Sequence, residues 1–439
     1  MSDSGFPGEF AIPPLAHTGL FGAFLGCHAI SDAIQVLHTG VGCKGKTQVH
    51  LVEHDLGREA HAKVGWTELT EAEWIQAPLV RLREAARELC RRRRPGGIVL
   101  TTSTAVEYTG VDLEAAAEAV EGEVGVPVLA LPGVASSPDL YSGYSAVVRA
   151  LLGRVDWSRP PAEGLEAALA GYFFHRYEHE QAANLAELRR LAEGLGVNLG
   201  PVLLSGEPME ALLAAHHASA VLGLPYLGLD DAALGRLTMR PAGVVGLPLG
   251  LRATTRWLQA LGGPLGVEPE RVRRLIEREE GRASSRLGLA RRVLSGRSLA
   301  IIADTPLVAG FMLLAQELGL TCPLVALLDR SLGGEEGLRA LLDQVGARIP
   351  VTTKVLVAPS LLELRDLGGP LEPRAGAAPF DLVVRPDLGL AGTGWASIPT
   401  VEVGFPARRK HFVFPLPELG YAGAVALAGR LMDALFEAH

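Results

Sequence analysis

Two apolar rhythms alternate along this chain: short uninterrupted runs, and longer stretches in which apolar residues recur every three or four positions. The first marks a strand buried on both faces and the second a helix with one buried face. The opening third predicts a short buried strand over 33–37, a helix over 46–56, and an amphipathic helix over 79–90. That last helix runs into Arg91, Arg92, Arg93 and Arg94 and stops at Pro95-Gly96-Gly97. Cations in a last turn complement the helix dipole, so the tetrad reads as a solvated end before it reads as a partner patch. A buried strand over 97–102, a loop over 103–110, a helix opened by Asp112 and a strand over 127–131 follow.

Paired Pro160-Pro161 interrupt the periodicity and suggest a boundary near 158–166. Beyond it the pattern predicts a long helix over 166–195, a strand over 197–205, and continued alternation through 209–217, 221–229 and 244–249. The stretch 254–294 is helical and heavily charged, as expected of an exposed connector. The last third is the most regular, with strands over 298–304, 323–328, 351–358 and 380–384, helices over 306–318 and 335–345, and a terminal helix over 420–437. Strand, helix, strand at this spacing predicts an α/β protein whose parallel sheets carry helices on their faces, with ligands at the carboxyl ends of the strands.

Length changes that picture by requiring division. A chain of 439 residues exceeds what one core sustains, and two or three domains are expected. A net charge of −8 argues against sequence-independent nucleic-acid binding, which needs a positive surface. The four cysteines, Cys27, Cys43, Cys90 and Cys322, form no CxxC pair and are too sparse for a disulfide framework; a reduced, cytoplasmic setting fits them. The first residues carry no basic-then-apolar leader, and no apolar run reaches membrane-spanning length, so no membrane association is expected.

Candidate chemistry concentrates in 35–55. Gly40 to Thr47 satisfies GxxxxGK[ST], the phosphate loop in which amides, Lys46 and a hydroxyl cradle a triphosphate. His50 and His54, with Glu53, satisfy HxxEH, which places two imidazoles one helical turn apart for zinc. Cys43, between Gly42 and Gly45, is placed as a thiolate that ligates an iron-sulfur cluster. Each has a plain alternative: a buried structural thiol for Cys43, ordinary surface charge for Lys44 and Lys46, and helix packing for the histidines. The phosphate-loop reading also needs an acid at the end of a neighbouring strand, and 97–102 ends in Thr101-Thr102; Asp304 falls in another predicted domain. The zinc reading also requires a downstream acidic ligand and a catalytic cleft. His216 and His217 read as partly exposed, Cys90 and Cys322 as structural, and Cys27 as packed core. The group Arg408-Arg409-Lys410-His411 reads either as a site for an anion or partner or as a solvated turn.

Several motifs together resemble one family. The run Ile398 to Pro406 ending in Gly404-Phe405-Pro406, then His411 and the turn Gly420-Tyr421-Ala422-Gly423-Ala424, resembles the ending of nitrogenase component-1 subunits. Gly22-Ala23, the His38-x-Gly40-x-Gly42-Cys43 pattern, the helix carrying His54, the loop from Thr101 to Glu107 with Gly110 and Asp112, and Ala303-Asp304 agree in order and spacing. The resemblance implies three Rossmann-like domains, at 1–160, 161–296 and 297–439. It also implies an alpha-type partner in a heterodimer or α2β2 heterotetramer, and an interfacial iron-sulfur cluster fed by an ATP-dependent iron-sulfur reductase. The fully equipped family pattern offers three cysteines per subunit. Here Cys43 matches the second, the first falls near Thr18, and the third near Ser103 or Thr104. Hydroxyls are poor iron ligands, so the resemblance implies Cys43 as the metal ligand, Gly40 and Gly42 shaping its loop, and Thr18, Ser103 and Thr104 lining the site. A four-iron, four-sulfur (4Fe-4S) cluster owned mostly by the partner then fits better than an eight-iron one. No cysteine in the middle of the chain resembles the anchor of the catalytic cofactor in alpha-type subunits. The one-cysteine pattern is similar to the beta-type subunit of the cofactor-assembly scaffold or to a nitrogenase-like reductase subunit. The competing function is a phosphate-loop NTPase using Gly40 to Thr47.

Overall fold

The computed structural model describes residues 17–40, 63–76, 78–368, 379–390 and 393–437. Three parallel sheets carry the chain. The first has the order β2-β1-β3-β4, from β1 (Ala33–His38), β2 (Val64–Trp66), β3 (Gly97–Thr102) and β4 (Val128–Ala130). The second repeats that order as β6-β5-β7-β8, from β5 (Glu166–Ala170), β6 (Asn198–Val202), β7 (Ala220–Gly223) and β8 (Ala242–Val244). The third runs β11-β10-β9-β12-β13, from β9 (Ser298–Ala303), β10 (Thr321–Leu327), β11 (Lys354–Val357), β12 (Leu382–Arg385) and β13 (Thr400–Glu402). In each sheet the first strand in sequence has neighbours on both sides, so the connections leave it in opposite directions. A crevice opens there at the carboxyl ends of β1/β3, β5/β7 and β9/β12.

The central strands are buried on both faces, β1 and β3 along their whole length. That is why their sequences read as continuous apolar runs. Helix starts follow local chemistry. Asp112 accepts from the Ala115 amide at 2.9 Å to open Leu113–Val124, and Asp304 accepts from the Leu307 amide at 3.1 Å to open Thr305–Leu318. Each satisfies one donor that a helix leaves unpaired. Helix α1 (Gly19–His28) lies against α2 (Leu140–Arg154) so closely that a Cβ on Gly22 would stand 1.6 Å from the Leu140 carbonyl oxygen, and one on Gly143 1.7 Å from the Gly19 oxygen. The glycines therefore set the helix separation, and with it the height of the first turn of α1.

The three sheets are joined at a shared centre by carboxylates. Asp304, at the end of β9, accepts from the Tyr141 hydroxyl of α2 at 3.1 Å and from the Tyr226 hydroxyl beyond β7 at 2.7 Å. Asp139, which caps α2, accepts from the Arg330 and Ser331 amides at 2.6 and 2.9 Å. Asp329 accepts from the Thr305 amide at 2.6 Å. The terminal helix α3 (Gly420–Glu437) packs across the second and third sheets' helices, with the Tyr421 and Thr255 hydroxyls 2.6 Å apart.

The structure corrects three expectations. The long helix over 166–195 is a strand, β5, then an irregular stretch and a helix at His179–Gly194. Its first five residues, Glu-Ala-Ala-Leu-Ala, favour a helix locally, but four of them are buried between β6 and β7, and tertiary context overrides propensity. The stretch 254–294 is helical, but Trp257, Leu258 and Leu261 are core residues, so it is no exposed connector. His216 is buried, with its ring centroid 4.1 Å from that of His217. The helix expected over 46–56 lies outside the described residues. Among the described residues, no helix is long and apolar enough to cross a membrane.

Candidate functional site

The crevice of the first sheet is where the sequence-predicted site residues fall. β1 delivers His38, Thr39 and Gly40; β3 delivers Thr102, Ser103 and Thr104; and His38 stands opposite Thr102 in the register. The Ser103 amide donates to the His38 carbonyl at 3.1 Å, so both chain ends leave the sheet side by side. Thr67, just past β2, fixes the exit of β1. Its Oγ1 accepts from the Thr39 amide at 2.9 Å, lies 3.1 Å from the Thr39 carbonyl and 3.1 Å from His38 Nδ1. Gly40 continues the pairing with Leu69, and a Cβ there would come within 3.1 Å of the Trp74 ring. The backbone therefore enters the 41–62 segment from a clamped position.

Ser103 sits at the start of a short helix, Thr104–Glu107, in extended geometry and without making a side-chain cap. Its Oγ is buried and has no hydrogen-bond partner among the described residues; the same holds for Thr39 Oγ1 and His38 Nε2. Buried polar atoms are normally satisfied, so three orphans among the described residues single this crevice out. Burial holds His38 down to about 4, so the imidazole is neutral near pH 7 and one ring nitrogen remains a potential acceptor. Thr104 is exposed beside them, as is Tyr108 one turn on.

The first turn of α1 closes the rim. Thr18 precedes it, exposed and making no cap, while the Gly19 amide donates to Ser137 at 3.3 Å. Neighbouring Ala135 and Ser136 are bound to the Glu107 carboxylate, the former at 2.8 Å, which ties this turn to the Ser103 helix. His17 stacks on Phe21 at 4.2 Å, and Phe21 in turn packs on Phe405 of the Gly404-Phe405-Pro406 turn at 5.5 Å, with a cis peptide before Pro406. Thr18, Gly40, Ser103 and Thr104 thus gather around one crevice. Gly42 and Cys43 lie outside the described residues, as do Lys44, Lys46, Thr47, His50 and His54.

The remaining thiols are elsewhere. Cys27 is buried in α1 and Cys322 in β10, and burial pushes each thiol up to about 12. Cys90 is partly buried in the helix Pro78–Arg93, and burial raises it as well. Thiols so shifted stay protonated and inert, in keeping with the structural roles expected of them. Arg91 and Arg92 pair with Glu88, the former at 2.7 Å, on an exposed helix end. Among the described residues no cluster of histidine, cysteine and carboxylate side chains forms a metal centre.

Whether an iron-sulfur cluster suits this crevice turns on the donor set. Hydroxyls and a neutral imidazole are hard or borderline donors, whereas cluster iron takes thiolate sulfur. The described wall therefore offers no thiolate of its own, and the cluster expectation rests on Cys43, which lies outside the described residues. A nucleotide suits it less: β2 and β3 run into Thr67 and Thr102, and the nearby Glu107 is already held by Ala135 and Ser136. The strands β1, β2 and β3 themselves end in His38, Trp66 and Thr102, none of them a carboxylate that could hold magnesium.

The shared centre of the three sheets is filled by rings. Phe173 packs on Tyr226 at 4.9 Å and on Tyr144 at 4.8 Å, and Tyr141 lies 5.9 Å from Tyr226. All are buried, and the Tyr144 hydroxyl is consumed between the Tyr172 carbonyl and the Phe174 amide. The basic turn is largely occupied too. Arg408 and Arg409 face Asp387 at 3.2 and 3.7 Å, and His411 Nδ1 lies 2.6 Å from Glu178. Thr67 escapes sequence reasoning, as do the contacts that Glu107 and Asp304 make, although both fall in motifs the sequence shows. Only the Ser/Thr-rich wording around β3 hints at the hydroxyl-lined rim.

The family model described as Nitrogenase component 1 type Oxidoreductase matches residues 18–436. The nitrogenase molybdenum-iron protein beta chain of Rippkaea orientalis is 24% identical over 446 residues, covering 95% of this chain and 82% of that one. The nitrogenase iron-molybdenum cofactor biosynthesis protein NifE of Klebsiella pneumoniae is 24% identical over 306 residues, covering 66% of each. Among solved structures, nitrogenase Cp1 at pH 6.5 aligns with a TM-score of 0.76 at 18% identity, covering 100% of this chain and 95% of the other. That likeness fits the three parallel α/β sheets found here.

Proposed function

This chain belongs to the nitrogenase component 1 type oxidoreductases, and from that membership we propose that it acts as the beta-type subunit of a heteromeric nitrogenase-like complex. It pairs with an alpha-type subunit, as a heterodimer or α2β2 heterotetramer, and contributes one wall of an interfacial iron-sulfur cluster. The observation that carries the reading is the group of buried polar atoms of His38, Thr39 and Ser103, unpartnered among the described residues, at the crevice where the chain leads toward Cys43. Cys43 is the one thiolate this chain offers, and Gly40 and Gly42 let the backbone approach a bulky inorganic group. Thr18, Ser103 and Thr104 line the site with hydroxyls, which can hydrogen-bond sulfide but leave the other iron ligands to the partner.

When bound, a cluster of the 4Fe-4S kind supplies one-electron storage between an ATP-dependent iron-sulfur reductase and the partner's reaction site. The part played by this chain is to position and insulate. Thr67 fixes the exit of β1, the Glu107 carboxylate fixes the rim, and buried apolar strands keep water from the sheet side. The ring-filled centre of the three sheets supports a chain that carries no substrate pocket of its own there, leaving that pocket to the alpha-type partner. Both substrate reduction and assembly of a metal cofactor are compatible with this arrangement. Anaerobic co-expression with the alpha-type subunit tests the proposal. The isolated complex is expected to show visible charge-transfer absorption that dithionite bleaches, and Ser103→Cys is expected to alter its spectrum by offering a second sulfur. A colourless stable complex refutes the reading.

A further inference from the structure

A second site lies in the third unit, away from the crevice of the first sheet. Between the outer edge of β13 and the end of α3 is a cavity of about 440 Å³, within the range of small-molecule sites. Arg385, the last residue of β12, forms part of its wall with only 6% of its surface exposed. Among the described residues the guanidinium faces no carboxylate within ion-pairing distance. Its Nε is buried and unpartnered, and one terminal nitrogen reaches only the Pro386 carbonyl, at 3.3 Å. An arginine stays charged, and burying that charge without a counter-ion is costly.

No neighbouring acid pairs with it directly, although Asp387 and Glu402 lie close enough to act on its charge. Asp387 is shared by Arg408 and Arg409. Glu402 accepts from the Arg409 and Lys410 amides at 3.0 and 3.1 Å. Arg430, also on the wall, is held by Glu418 and by the Glu402 carbonyl. The Arg385 fork and the exposed Lys410 line the cavity on one side, and the exposed carboxylates of Asp433 and Glu437 line it on the α3 side. A planar fork with a nearby ammonium matches the paired oxygens of a carboxylate or phosphate. A carboxylate across the cavity matches a cationic or hydrogen-bond-donating tail.

We propose that this cavity binds a small oxyanion, carboxylate or phosphate, with its head on Arg385 and Lys410 and an amine or hydroxyl tail toward Asp433. It is independent of the cluster reading, since no residue is shared between the two sites. The purified full chain is titrated by calorimetry with inorganic phosphate, which has a head alone, and with glutamate, which has a carboxylate head and an ammonium. Saturable binding of at least one probe is expected, weakened about tenfold or more in Arg385→Met and several-fold in Lys410→Gln. Asp433→Asn is expected to weaken glutamate and leave phosphate unchanged, and the ranking of the two probes distinguishes a phosphate ligand from a carboxylate one. No saturable binding of either probe overturns the proposal, as does unchanged affinity in the Arg385 and Lys410 variants. Should Arg385→Met fail to fold, Lys410→Gln and Asp433→Asn change only exposed side chains, and unchanged affinity in both overturns the proposal equally.

Discussion

The carboxylate that joins the three sheets should make their union sensitive to pH. Asp304 is buried, and desolvation raises it from 3.8 to about 7 despite its bonds from Tyr226, Leu307 and Tyr141; Asp329 beside it adds to the rise. Its affinity for a proton is therefore greater in the folded than in the unfolded chain. The associated stability is fully present below pH ~4 and is lost as pH rises toward 7, after which it changes no further. A rise from 3.8 to about 7, at ~1.4 kcal/mol per unit, makes the full effect about 4 kcal/mol, an order-of-magnitude figure. Asp304→Asn removes the titration while keeping an oxygen for the Tyr226 hydroxyl and the Leu307 amide. Urea unfolding of both chains between pH 5 and 8, followed by tryptophan fluorescence, isolates this carboxylate and its coupling to Asp329, because titrating groups away from the centre contribute equally to both curves. The variant is expected to be comparable to or slightly below wild type at pH 5 and to gain on it by roughly 3 kcal/mol by pH 8. Parallel curves across that range refute the reasoning.

Further substitutions probe the other joints. Gly22→Ala places a methyl 1.6 Å from the Leu140 oxygen, so α1 must move off α2; a loss of about 3 kcal/mol or more is expected in chemical denaturation, against well under 1 for the open Gly122→Ala. Thr67→Val removes the bonds that hold Thr39 and is expected to cost roughly 1–2 kcal/mol, with a lower iron content in the co-purified complex as its functional readout. Arg176 lies 2.6 Å from the equally buried Glu180 and binds the Ala407 carbonyl at 3.3 Å. Arg176→Met strands that carboxylate, so unfolding free energy is expected to fall by about 3–5 kcal/mol at pH 7 and to recover in part as pH falls, because burial already raises Glu180 and loss of the Arg176 charge raises it further.

The architecture is legible where local chemistry and burial agree. The strands 97–102 and 298–304 are central and apolar on both faces, and the helix starts at Asp112 and Asp304 carry their own caps, so pattern and structure coincide. Glu166–Ala170 misleads because alanine and leucine favour a helix and only its neighbours β6 and β7 make it a strand. The gathering of Thr18, Gly40, Ser103 and Thr104 follows from the family resemblance, not from periodicity. The tyrosine-aspartate centre is invisible in the sequence, since Tyr141 and Asp304 meet across 163 residues and a helix-opening aspartate does not reveal which distant hydroxyl it meets. Thr67 is hidden for a similar reason: it follows a strand of three residues, too short to show alternation.

The central claim is that Cys43 supplies this chain's sulfur to a cluster held with another subunit. Iron and acid-labile sulfide counted per complex after anaerobic co-expression with the alpha-type partner, for wild type and Cys43→Ser, test it most directly. The account predicts that the substitution lowers both counts together while the subunits still co-purify and the circular dichroism is unchanged. Equal iron and sulfide in the two preparations would contradict it.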